Sequence, residues 1–261
     1  MANNKQQKIE AFSRLLDIMD ELREKCPWDM KQTNESLRHL TIEETYELAD
    51  AIIKNDSTEL KKELGDVLLH IVFYARIASE KDHFDIADVI NSLCEKLINR
   101  HPHIYGDVKV ENAEQVKENW EQIKLKEGNK SVLSGVSKGI PSIVKALRMQ
   151  EKAAQVGFDW PTANEVWAKV DEELNELKVE YAADFSSEKA EKEFGDFLFS
   201  LVNLARKYNI NPDDALEKTN LKFIHRFQYI EEKALEAGRN LKNMTLEEMD
   251  VYWNEAKGKE I

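Results

Sequence analysis

An all-α fold in two tandem copies is what this sequence predicts, on three observations. Apolar residues recur mostly at helical spacing. Nine Gly and five Pro in 261 residues leave long stretches without a helix breaker. One acidic pattern also occurs twice: Glu43-Glu44-Thr-Tyr-Glu47 then Glu63-Leu-Gly-Asp66, and again Glu172-Glu173-Leu-Asn-Glu176 then Glu193-Phe-Gly-Asp196. The copies are offset by 129 residues at the first block and 130 at the second, and repetition at that length signals a duplicated domain. The halves are expected at residues 1–127 and 142–261. Between them, 128–141 holds three glycines and three serines, which suits a linker.

Each element has its own signal. Ile9, Phe12, Leu15, Leu16, Met19 and Leu22 form one stripe over residues 8–25, and Pro27 ends that helix. After Trp28-Asp29 and a polar loop comes the first acidic helix. Thr41-Ile-Glu-Glu44 has the form of a capping box, although the helix could also start earlier, near Asn34. A turn at Asn55-Asp56-Ser57 leads to the helix bearing Glu63 and Asp66. Further helices are expected over about 85–100, ending at His101-Pro102, and over about 112–127. The second half restarts over about 142–156. Thr162-Ala-Asn-Glu165 caps the second acidic helix, Ser186 or Ser187 the helix of Glu193, Asn211-Pro212 the next, and Thr245-Leu-Glu-Glu248 the last. Gly238 suits a helix stop.

Composition narrows the partners. A formal net charge of −13 argues against broad nucleic-acid binding and against attraction to an anionic membrane. A small anion could still approach through a bound cation and local Lys or Arg. The amino terminus lacks an apolar leader and no apolar run approaches membrane-spanning length, so a cytoplasmic protein is expected. Cys26 and Cys94 form no metal or redox motif and read as structural thiols.

The acids carry the chemistry. Residues three or four apart share a helix face, so Glu173 with Glu176, and Glu193 with Asp196, put their carboxylates on one side. Leu174 and Leu177 on one helix, with Phe194, Leu198 and Leu201 on the other, give stripes that pack the pair together. Four or five carboxylates facing each other repel unless a cation sits among them. Acidic pairs are also common on solvated helix faces; the second copy favours a divalent-metal site. Basic and aromatic residues repeat in the same order. Lys96 and Arg100 match Lys222 and Arg226, Trp120 and Lys124 match Trp253 and Lys257, and Trp28 matches Trp160. A Lys–Arg pair beside a metal suits phosphate oxygens, and a Trp can stack a base or close the fold. Two other classes stand beside this reading. A di-iron carboxylate bundle is disfavoured because neither block has a His three residues after a Glu. A non-catalytic helical interaction protein would not need the repeated Lys, Arg and Trp.

The doubled Glu-Glu-x-x-Glu and Glu-x-x-Asp blocks, with Cys26-Pro27-Trp28-Asp29 and Arg100-His101-Pro102-His103, resemble the MazG family of all-α nucleoside triphosphate pyrophosphohydrolases. The resemblance covers nearly the whole chain. It implies helical-bundle domains, a homodimer, dependence on Mg²⁺ with Mn²⁺ as a substitute, and cleavage of nucleoside triphosphates to monophosphate and pyrophosphate with broad base tolerance. By the family motif, metal ligands fall on Glu173, Glu176, Glu193 and Asp196, and on Glu44, Glu47, Glu63 and Asp66 in the first half. Nucleotide contacts fall on Lys169, Glu172, Lys189, Asp196, Lys222, Arg226, Trp253 and Lys257, with Lys189 in a loop of variable length. The implied reaction centre is Glu172 and Glu173, Glu172 being the candidate base for the attacking water. Lys169, whose first-half counterpart is Leu40, points to the second half as the main catalytic one.

Overall fold

The computed structural model describes residues 4–112, 115–116, 119–120, 123, 131–183 and 188–259. Every regular element among them is helical. By internal contacts the chain divides into two compact units, Met1–Val116 and Lys117–Ile261. That division lies upstream of the glycine- and serine-rich 128–141 segment.

The first unit comprises α1 (Lys5–Lys25), α2 (Asn34–Ile53), α3 (Ser57–Ser79), α4 (Ile86–Arg100) and the short α5 (Pro102–Tyr105). Its centre is the hairpin of α2 and α3. Thr33 caps α2 by accepting from the Ser36 amide, and Asp56 caps α3 by accepting from the Thr58 and Glu59 amides. The earlier of the two starts considered for α2 is therefore the real one. Thr41 lies two turns inside the helix, where its hydroxyl donates to the Leu37 carbonyl instead of capping. Asn55 turns the chain between the helices at φ 54°, a left-handed conformation that Asn tolerates. Met19 of α1 packs with Leu37 of α2 and Val72, Phe73 and Ile77 of α3 to form the core. Ile9 and Leu22 of the α1 stripe stay exposed. Arg23 donates to both Glu80 oxygens, at 2.7 and 2.9 Å, and to the carbonyls of Asp29 and Gln32. This anchors the Trp28-Asp29 loop to the ends of α1 and α3. Cys26 is half-buried and Cys94 stands exposed on α4.

The second unit comprises α6 (Ser142–Gln155), α7 (Ala163–Ala183), α8 (Glu188–Lys207), α9 (Pro212–Glu236) and α10 (Leu246–Lys259). The α7–α8 pair is its centre, with α6 on α8 and α10 on α9. Reciprocal Thr–Glu hydrogen bonds cap α7 (Thr162 with Glu165) and α10 (Thr245 with Glu248). Asn211 caps α9 ahead of Pro212. Gly238 takes φ 65° just past α9, which releases the chain without a Cβ clash. The expected cap at Ser186 or Ser187 lies outside the described residues. Of the helix expected over 112–127, the described residues from Gln115 to Ile123 are helical. Of the expected linker, 128–130 lie outside the described residues, while Val132–Gly135 form a tight helical turn packed on α6. Val166, Val170, Leu204 and Phe197 make the core of the hairpin. Arg206 and Lys207, at the end of α8, bind Asp159 at 3.1 and 2.7 Å and so fix the loop before α7.

Candidate functional site

Each hairpin brings three carboxylates together. In the first unit Glu44 of α2 meets Glu63 and Asp66 of α3; in the second Glu173 of α7 meets Glu193 and Asp196 of α8. One oxygen from each residue of a triplet lies within 4.8 Å of the others. Two expected members stand apart: Glu47 and Glu176 are exposed, one turn further along their helices, outside the triplets. They still act through their charge. Burial raises Glu44 above its ordinary value, and Asp66, Glu47 and Glu63 push the same way. Burial also raises Glu193, helped by Glu176, Asp196 and Glu173. Both clusters thus resist full ionisation on their own.

The two triplets bury different members. In the first, Glu63 is only 2% exposed; Lys62 sits 2.9 Å from its Oε1, while its Oε2 is buried without a hydrogen-bond partner. In the second, Glu173 is 6% exposed and holds Lys169 at 2.6 Å from its Oε1. The same ammonium lies 2.9 Å from Glu172 Oε1, one turn from its own backbone. Glu173 first, then Glu172, raises the Lys169 pKa, so this lysine is locked as a cation. The first-half counterpart, Leu40, packs against the core.

Of the remaining expected contacts, Lys222, Arg226, Trp253 and Lys257 lie on α9 and α10. The Arg226 guanidinium lies 5.2 Å from the Trp253 ring centre, and Phe223 lies 5.3 Å from the same ring. Phe223 also stacks on Phe227 at 6.0 Å. Lys222, one turn before Arg226, and Lys257, one turn after Trp253, are placed on these same helices. Lys189 is exposed in the first turn of α8. In the first unit α4 stops at Arg100 and Pro102 starts the next short helix. Trp120, which parallels Trp253 in sequence, belongs to the second unit. There it lines a cleft of about 620 Å³ with Leu147, Arg148, Arg206 and Asn211. The order of residues matched, but the segment packs with the later half.

Sequence reasoning missed a polar network beside the first triplet. Thr41 Oγ1 lies 2.6 Å from His70 Nδ1 and 2.6 Å from the Tyr74 hydroxyl. Burial lowers the His70 pKa, and Asp66, one turn away, opposes it. The signal was Thr41 at one turn before Glu44 and His70 at one turn after Asp66. At the matching positions the second hairpin carries Val170, Ser200 and Leu204.

A model of the MazG nucleotide pyrophosphohydrolase domain matches residues 32–105, from the start of the α2–α3 hairpin to the end of α5. The chain is 46% identical over 252 residues to the nucleoside triphosphate pyrophosphohydrolase/pyrophosphatase MazG of Thermotoga maritima, covering 95% of this chain and 96% of that one. The chain belongs to the MazG family. Its likeness to the nucleoside triphosphate pyrophosphohydrolase of Escherichia coli K12 is 40% over 261 residues, covering 97% and 99% of the two chains. YabN, an uncharacterised protein of Bacillus subtilis, is 46% identical over 251 residues, but this MazG-family chain spans 51% of its length.

Proposed function

We propose that this MazG-family chain hydrolyses nucleoside triphosphates to nucleoside monophosphate and pyrophosphate in the cytoplasm, with Mg²⁺ or Mn²⁺ as cofactor. The observation that carries the reading is the acid triplet Glu173, Glu193 and Asp196 with Lys169 at its edge. Hard carboxylate oxygens this close fit a hard divalent cation, and the orphaned Glu63 Oε2 makes the same case for the first triplet. In this reading the metal ligands are Glu173, Glu176, Glu193 and Asp196, and Glu44, Glu47, Glu63 and Asp66 in the first half, with the two triplets as the core of each set. Each half, close to the compact units Met1–Val116 and Lys117–Ile261, is then one such domain.

A bound divalent ion would screen the phosphate charge and acidify a water ligand. The chain's own residues do the rest. Lys169 can turn from its carboxylates to a phosphate oxygen of the substrate. Arg226, held over Trp253, together with Lys222, Lys257 and Lys189, offers further cations for the charge that grows on departing pyrophosphate. Glu172, exposed beside Lys169, can accept a proton from water. The faces of Trp253 and Phe223 suit a base without reading its edge, since every base has a π-face, which supports broad base tolerance.

The reading includes a homodimer. Leu64, Phe194, Leu198, Phe223 and Ile224 are each between 45% and 56% exposed, on the helices that carry the site. Exposed apolar side chains of this size and number call for a partner surface. The test of function is product analysis over a panel of nucleoside triphosphates, with metal and with chelator. Monophosphate and pyrophosphate in equal amounts, lost on chelation, are expected; diphosphate and orthophosphate would contradict the reading.

A further inference from the structure

We infer that Lys169 is a built-in counter-ion that weakens the second triplet's hold on a free divalent cation, so that the first triplet loads first. The second binds the free ion more weakly and tightens when substrate phosphate draws Lys169 away. This order of loading presupposes the metal-dependent activity proposed for the chain.

The buried acid of each triplet is neutralised in a different way. Glu63 has a cation on one oxygen only, and that cation, Lys62, has a side chain 59% exposed. Its Oε2 is buried without a partner, and leaving a charged acceptor unsatisfied in that setting is costly. A divalent ion shared with Glu44 and Asp66 removes the deficit and displaces nothing.

Glu173 has no such deficit. Its carboxylate, 8% exposed, already holds the Lys169 ammonium at 2.6 Å, and Glu172 grips the same ammonium at 2.9 Å. An incoming ion at Glu173 must separate this pair or sit beside the ammonium, and either is unfavourable where the acid is buried. The penalty lowers affinity for the free ion by roughly ten- to a hundredfold. A triphosphate changes the balance because it offers Lys169 another anion as it delivers its own cation. Leu40, at the equivalent position, cannot play this part in the first half. The expected order in metal alone is one tightly held ion per chain and a second held more weakly, which nucleotide tightens.

The experiment is titration of Mn²⁺ into the full-length chain, with free Mn²⁺ followed by electron paramagnetic resonance. Wild type should show one tight class and one at least about tenfold weaker. Glu63→Gln should remove the tight class. Lys169→Leu should tighten the weak class by roughly ten- to a hundredfold, whereas Lys169→Arg, which keeps the cation, should titrate like wild type. Lys169→Gln carries the same expectation as the leucine variant and replaces it if circular dichroism shows that one unfolded. An α,β-methylene analogue of ATP should tighten the weak class of wild type. A Lys169→Leu or Lys169→Gln protein that titrates like wild type would overturn the inference and leave metal dependence standing. So would a tight class that vanishes in Glu173→Gln but survives Glu63→Gln. Failure of every variant and of wild type to bind Mn²⁺ would overturn both readings.

Discussion

The α2–α3 and α7–α8 hairpins place the same three acids at the same positions and then surround them differently. Around Glu44, Glu63 and Asp66 stand Leu40 and the hydrogen-bonded Thr41, His70 and Tyr74. Around Glu173, Glu193 and Asp196 stand Lys169 and the apolar Val170, Leu204 and Phe197. The hairpin geometry fixes where the carboxylates point. The neighbours decide which carboxylate is buried and which cation meets it. A duplicated scaffold can therefore keep two metal-fitting triplets while placing a lysine on the buried acid of one.

Removing the cation should have the largest effect on both hairpins at once. Chelation should abolish hydrolysis, and Mg²⁺ or Mn²⁺ should restore it; a stripped protein with full activity would remove the basis for treating either triplet as a metal site. Next in size is Asp196→Asn. This acid is exposed, so the variant should lose activity by orders of magnitude while its melting temperature stays level or rises, since one repelling charge is gone. An active variant, or one that unfolds, would count against a ligand role. Glu173→Gln is a less clean probe of stability, because Glu173 is buried against Lys169.

Smaller effects separate the basic groups. Lys169→Leu, which copies the first half, should lower kcat/KM by roughly ten- to a hundredfold, the loss expected for one charge-assisted contact. Arg226→Ala should do the same, and near-normal kinetics in both would detach these cations from the substrate.

The smallest effect concerns pH. Glu44 sits above its ordinary value of 4.5 in the folded protein, chiefly through burial. A carboxyl raised in this way favours the folded state while protonated. Its contribution is therefore lost as pH rises from the ordinary value through the folded one. In chelator, wild type should lose stability relative to Glu44→Gln between pH 4.5 and neutrality, by no more than about 2–4 °C in melting temperature. An equal response to pH in the two proteins would show that Glu44 is not strained by its neighbours.

Much of this was legible in the sequence because helical spacing is a local rule. Capping patterns at Thr162 and Thr245 read correctly, since each cap is complete within four residues. Thr41 did not, because an equally local cap eight residues earlier extends the helix past it. The packing stripes predict acids facing each other across each helix pair, and the structure brings Glu44 and Glu173 to the acids of the next helix. Glu47 and Glu176, one turn further along, stay exposed outside the triplets. Burial was also beyond reach: Glu63 and Glu193 occupy matching positions, and only packing makes the former the buried acid of its triplet. The Arg226 and Trp253 pairing was visible as order alone, because their contact joins two helices separated by a turn.

The second half, which alone carries a lysine at the Lys169 position, is expected to supply most of the catalysis. Two full-length proteins test it, one with Glu44→Gln and one with Glu173→Gln, assayed for pyrophosphate release from nucleoside triphosphate in saturating Mg²⁺. Most of the activity should survive in Glu44→Gln and vanish in Glu173→Gln. Equal losses, or a dead Glu44→Gln beside an active Glu173→Gln, would contradict the account.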